Sequence, residues 1–182
     1  MNIRKTKIEG LVILKPTILK DKRGYFIESY NLMSINKFLG NINFLQDNES
    51  ESSRGVLRGL HFQNPPYAQS KLVRCVKGIV LDVALDLRKN SKTYGHFETI
   101  VLSSENKEQL FVPRGFAHGF IVLSESAIIS YKVDNYYNSD SESGVLWNDL
   151  DLNIDWKINK KEIIVSEKDK SLPTFNNIIN PF

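Results

Sequence analysis

Three histidines, His61, His96 and His118, are the side chains of this chain whose charge changes nearest neutral pH. His61 closes the glycine-bearing stretch GVLRGLH and continues into FQ, which reads as a loop entering a strand. Arg54, Arg58, Gln63, Lys71 and Arg74 all fall within a short span of it. A lone His in a strand-rich protein is more often structural than catalytic, and this cationic, polar company is what favours chemistry at His61. His118 lies in PRGFAHGF, from Pro113 to Phe120, where a turn feeds a strand. His96 sits beside Gly95 in a polar loop and reads as solvated.

A metal centre fits these residues poorly. PxGxxH, from Pro113 to His118, resembles the second half of a metal-binding cupin signature. The first half needs two His close together and a Glu, and HFQNPP offers His61 alone. Two His without a local Glu make a weak ligand set for zinc or iron, so neither a metal nor another cofactor is expected. Arg23, Arg58, Lys71 and Arg74 could instead hold a diphosphate, the arginines by forked, charge-assisted contacts. The chain has no GxxxxGK[ST] loop and no GxGxxG turn, so a nucleotide would be held by scattered side chains. Tyr131 in IISYK, the Tyr136–Tyr137 pair and Asp169 in VSEKD are ordinary when taken singly: packing tyrosines and a helix-start carboxylate. Cys75 is the only cysteine; it reads as a small apolar strand residue, with no intrachain disulfide open to it.

The elements that must position these groups are mostly strands. LDVALDL places Leu81, Val83, Leu85 and Leu87 on one face and Asp82, Ala84 and Asp86 on the other. Lys71–Lys77, Phe97–Leu102, Gln109–Val112, Gly119–Leu123 and Ala127–Tyr131 are further strand candidates, separated by short polar or glycine-bearing turns. Leu32, Ile35, Phe38 and Leu39 predict one helix opening at Asn31, and a short second one is expected near Ser166. Asp47–Ser53 and Asn138–Gly144 read as surface loops. Many short strands with few helices predict an antiparallel sandwich or closed barrel. The period of the pattern does not choose among a jelly roll, an immunoglobulin-like sandwich and a lipocalin-like barrel.

With 182 residues, 41% hydrophobic and 25% charged, the chain is expected to form one globular domain over residues 1–182. A net charge of +3 without a Lys/Arg run argues against a nucleic-acid partner. No stretch has the layout of a signal peptide or the length of a membrane span, so a cytoplasmic location is expected.

Taken in order, the segments resemble the dTDP-4-dehydrorhamnose 3,5-epimerase family along nearly the whole chain. The similarity runs through DKRGYFIESY (Asp21–Tyr30), FLQDNES (Phe44–Ser50), GVLRGLHFQ (Gly55–Gln63) and the long stretch from Gln69 to Gly95. It continues through LFVPRGFAHGF (Leu110–Phe120), Tyr131, Trp147 and SEKD at Ser166. Ser70, where a glycine is usual, and Cys75 are small departures that touch none of the acid–base set. The resemblance implies an all-β, cupin-type jelly-roll barrel (a double-stranded β-helix) with a few short helices and no metal or cofactor. It also implies a homodimer that shares N-terminal strands, to which the apolar face of Leu11–Leu14 is suited. By the same resemblance His61 is the base, Asp169 its orienting partner, Tyr131 the proton donor on the opposite face, and Lys71 the neighbour of the substrate's C4 oxygen. Arg23, Phe26, Glu28, Gln46 and Asn48 match nucleotide-holding positions; Arg58, His118 and Tyr137 match the rest of the pocket.

These residue types suit the implied reaction. Epimerisation beside a ketone removes a proton from one face of a carbon and returns it on the other, through an enolate. That requires a base near pKa 7, an acid opposite it and a positive charge at the oxygen. The rival readings are a monofunctional 3- or 5-epimerase, a 3,4-ketoisomerase and a non-catalytic nucleotide-sugar-binding barrel. Tyr131 argues against the ketoisomerase, which can return its proton on one face. His61, Asp169 and Tyr131 together argue against a mere binder.

Overall fold

Apolar residues at every second position commit LDVALDL to an extended backbone. In the computed structural model, which describes all 182 residues, this stretch lies inside an antiparallel sheet and is buried on both faces. The strands in chain order are β1 (Asn2–Lys5), β2 (Val12–Lys15), β3 (Ile18–Asp21), β4 (Gly24–Ile27), β5 (Gln46–Ser53), β6 (Leu57–Gln63), β7 (Lys71–Lys77), β8 (Ile79–Asp86), β9 (Phe97–Ser103), β10 (Gln109–Val112), β11 (Phe116–Val122), β12 (Ser126–Val133) and β13 (Glu142–Gly144). The helices are α1 (Leu32–Leu39), capped by the Asn31 side chain, and α2 (Glu167–Lys170), capped by Ser166.

Two antiparallel sheets carry the fold. One has the order β1-β2-β10-β7-β12-β5 and the other β13-β6-β11-β8-β9, while β3 and β4 pair only with each other. The inner faces meet in an apolar core that includes Val73, Cys75, Leu110 and Ile129 from the first sheet and Val80, Ala84, Phe116 and Val122 from the second. The opposite face of β8, with Leu81, Val83, Leu85 and Leu87, packs under the C-terminal segment around Leu152 and Trp156. Helix α1 seats Ile35 on Leu14, Leu72 and Phe111, on the outer face of the first sheet.

The structure changes several sequence expectations. Asp47–Ser53 is part of strand β5 and not a loop, and Asn138–Gly144 ends in strand β13. Strand β11 begins at Phe116, so His118 is a strand residue. Leu11, Ile13 and Leu14 are at most 2% exposed inside their own chain; they build its core and leave no free apolar face there. The N-terminal element that joins neither main sheet is the β3–β4 hairpin.

An irregularity in β6 decides which of its side chains face inward. Along the β6–β11 ladder, His61 faces His118 and Arg58 faces Phe120. Two steps on β11 therefore match three on β6, a bulge that puts Arg58 and His61 on the same face despite strand alternation. Gly59 occupies it at φ +126°, and a Cβ there would lie 2.6 Å from Gly119 Cα and 2.9 Å from the His118 carbonyl oxygen. Gly59→Ala is expected to cost about 2 kcal/mol or more of stability, read as a lowered melting temperature in a thermal scan.

Candidate active site

Strand parity and the bulge turn a defined set of polar side chains into the space between the sheets. From β6 come Arg58 and His61, from β7 Lys71, from β11 His118, from β12 Tyr131 and from β13 Glu142. All of them line one cavity of about 520 Å³. Asp169 and Lys168 of α2 and Ser166 close one side of it. A recess of about 220 Å³ shares His61, Lys71, Tyr131 and Glu142 with the cavity and adds Gln46, Asn48 and Tyr137. His61 and Tyr131 belong to different sheets and reach the cavity from facing walls.

The centre of the arrangement is a His–carboxylate pair. His61 Nε2 lies 2.8 Å from Asp169 Oδ1, and the Gly59 backbone N–H donates to Asp169 Oδ2 at 3.1 Å. Burial raises the Asp169 carboxyl, but the hydrogen bonds from His61 and Gly59 outweigh it and leave the group below its ordinary range. An ionised carboxylate only accepts, so Nε2 carries the hydrogen and the lone pair stays on Nδ1. His118 makes a second such pair, Nε2 to Asp82 Oδ1 at 2.9 Å, deep in the barrel.

Electrostatics separate the other groups. Burial pulls the Lys71 amine down to about 8, against the opposing pull of Asp82 and Glu142. Burial raises Tyr131 above the usual phenol value, with Arg58 opposing it, so the hydroxyl keeps its proton. Arg58 is fixed by Nε on Ser52 Oγ at 3.1 Å. Gln46 Nε2 donates to Asn48 Oδ1 at 2.9 Å, and Tyr137 donates its hydroxyl to Glu142 Oε2 at 2.6 Å.

Not every expected residue converges. Arg23, Phe26 and Glu28 line neither the cavity nor the recess. Arg23 is paired with Asp21 at 2.6 Å, Phe26 is 67% exposed on the hairpin, and Glu28 accepts from Asn31 Nδ2 at 3.2 Å. Arg74, a diphosphate candidate by composition, has strand parity opposite to Lys71 and borders a small separate pocket of about 110 Å³ with Ser29 and Gln109. Two charged residues of the cavity escaped the sequence reading. Glu142 was hidden in a stretch that reads as a loop, and it pairs with Lys168 at 2.5 Å. Lys168 stands one position before Asp169, and its place in the same short helix was the available signal. No group of three or more His, Cys, Asp or Glu is arranged to hold a metal ion. Cys75 is buried in the core with its thiol pushed up to about 11 by desolvation. No helix is long and apolar enough to cross a membrane.

Two packed antiparallel sheets with a His–Asp pair, a desolvated lysine and a protonated tyrosine around one cavity define a cupin-type barrel equipped for acid–base chemistry. The family model described as dTDP-4-dehydrorhamnose 3,5-epimerase matches residues 5–177, and the chain belongs to that family. The chain is 48% identical to the Escherichia coli dTDP-4-dehydrorhamnose 3,5-epimerase, over 98% of this chain and 97% of that one. Among solved structures, that of the Elizabethkingia anophelis dTDP-4-dehydrorhamnose 3,5-epimerase is 52% identical, with a TM-score of 0.94 over 99% of this chain and 98% of that one. The Legionella pneumophila dTDP-6-deoxy-D-glucose-3,5-epimerase, solved with dTDP-4-keto-L-rhamnose, is 43% identical at a TM-score of 0.93, over 97% and 94% of the two chains.

Proposed function

We propose that the chain is an isomerase that converts dTDP-4-dehydro-6-deoxy-D-glucose to dTDP-4-dehydro-L-rhamnose by inverting C3 and C5. The observation that carries this reading is the facing of His61, held by Asp169, and Tyr131 across one cavity that also contains Lys71. His61 Nδ1 takes the proton next to the C4 ketone, and Asp169 stabilises the imidazolium that results. Electrons left on the carbon move to the C4 oxygen, where the Lys71 ammonium meets the developing charge. Tyr131 returns a proton from the other wall, and the two side chains then exchange protons back through solvent. Each inversion balances without an oxidant or a co-reactant. Arg58, His118, Gln46, Asn48 and Tyr137 hold the remainder of the nucleotide sugar.

Proton NMR in D2O with dTDP-4-keto-6-deoxyglucose tests the reading. Deuterium is expected at both C3 and C5; exchange at one carbon alone would instead indicate a monofunctional epimerase. In Tyr131→Phe the base survives and the opposite-face donor does not. Exchange should therefore continue while formation of the L-sugar falls by about 10²-fold or more. A Tyr131→Phe enzyme that still formed the L-sugar at the wild-type rate would remove Tyr131 from the mechanism.

The working unit in this reading is a homodimer. Hairpin β3–β4 pairs with no other strand and exposes Leu19, Tyr25 and Phe26 at 60%, 55% and 67%. A lone hairpin is marginal in water, and β5 offers an open sheet edge. Seating the hairpin on a second copy gives Arg23, Phe26 and Glu28 a route to a nucleotide site. Phe26→Asp is expected to weaken the dimer in sedimentation equilibrium and to lower dTDP affinity at least about tenfold. A dimer and an affinity both unchanged would rule out this role for the hairpin.

A further inference from the structure

Asp82 projects from β8 into the barrel interior with its side chain fully buried. One oxygen accepts from His118 Nε2 at 2.9 Å, and Oδ2 has no hydrogen-bond partner. No lysine or arginine is bonded to it, and its free oxygen sets it apart from the carboxylates that line the cavity: Glu142 holds Lys168 and the Tyr137 hydroxyl, and the second oxygen of Asp169 accepts from the Gly59 backbone N–H. A buried acidic side chain with a free oxygen is costly unless a positive charge lies within reach. His118 connects Asp82 to the cavity, whose titratable and charged lining is His118 from β11, Arg58 and His61 from β6, Tyr131 from β12, Glu142 from β13, Lys168 and Asp169 from α2, and Lys71 from β7. Among the cations, Arg58 is fixed on Ser52 and Lys168 on Glu142. The Lys71 ammonium, by contrast, makes no hydrogen bond; burial works against its charge, and Asp82, ahead of Glu142, opposes that loss.

We propose that Asp82 is a positioning residue of this site: its carboxylate orients His118 through one oxygen and keeps the Lys71 ammonium charged through the field of the other. This rests on Lys71 being the cation at the enolate oxygen. Burial strips water from the amine and favours its neutral form, which could not stabilise an enolate; a fixed negative charge nearby opposes that loss. Asp82 lines neither the cavity nor the recess, so its influence passes through Lys71 and His118.

The test is Asp82→Asn, which keeps shape and an acceptor for His118 while removing the charge. Protein with ¹³C-labelled lysine is titrated by NMR, the Lys71 signal being assigned by its absence in Lys71→Arg, and kcat/KM is followed against pH in parallel. The Lys71 midpoint is expected to fall by about one unit, and the alkaline limb of kcat/KM to move down with it. An unmoved Lys71 midpoint overturns the proposal, and so does a midpoint that moves while the alkaline limb stays. Absence of turnover by the wild-type protein on the 4-keto sugar would count against the proposed function, and the lysine titration would still decide the Asp82–Lys71 coupling. If Asp82→Asn does not fold, Asp82→Ser carries the same measurement with a smaller side chain.

Discussion

Replacing His61 by Asn should lower kcat by about 10³-fold, within the range that a positioned general base supplies, while dTDP affinity stays within about threefold. The asparagine amide can still donate toward Asp169, so the capped start of α2 and the Gly59 backbone bond keep their anchor. What disappears is the basic lone pair on Nδ1. Since His61 matters mainly as chemistry proceeds, kcat and kcat/KM should fall together. Deuterium exchange at C3 and C5 should vanish in parallel, because both inversions begin with the same base. Exchange persisting at one carbon would mean that a second group serves that position. A pure binding barrel would show no turnover in either protein.

Lys71→Met should lower kcat by about 10²- to 10³-fold, the usual loss on removing one preorganised group at a developing oxyanion. The wild-type amine titrates near pH 8, so kcat/KM should decline on the alkaline side of that value as the charge is lost. In Lys71→Met that limb should be absent from the residual activity. Stability moves the other way. The folded value of about 8 lies below the ordinary lysine value of 10.5, so between them the unfolded chain binds more protons than the native one. Stability from this group therefore rises with pH across that window. Melting temperature measured from pH 7 to 11 should show this rise in the wild type and lose it in Lys71→Met. A Met variant with full activity and an intact alkaline limb would remove Lys71 from the enolate site.

Much of this site could be read from strand parity alone. Val73 and Cys75 are apolar and lie in step with Lys71, and Ile129 lies in step with Tyr131, so core-facing neighbours marked both polar residues as inward. Strand β5 was illegible for a physical reason. Its inner face looks into a polar cavity with Asn48 and Ser50, and its outer edge is unpaired, so QDNESESS carries no apolar alternation to detect. The same applies to Glu142 in β13, whose partners are Lys168 and Tyr137 and not the core. The Leu11–Leu14 run was visible as apolar, but a sequence does not say whose core it fills. Arg58 was the harder case, because regular alternation would have turned it away from His61.

The β6 bulge also governs how the chain tolerates change. Arg58 and His61 share a face only because β6 carries one residue more than the strand beside it. Removing a single codon between them would restore an even ladder. The two side chains, then two positions apart, would still share a face, but the span between them would shorten, and Gly59 or Leu60 would be lost from the place where Gly119 leaves room. Most surface loops of a barrel accept insertions and deletions without consequence. Here the reading frame of a strand is itself part of the active site, so length variation should be far rarer between Gly55 and Gln63 than in the exposed segment around Lys157–Lys161.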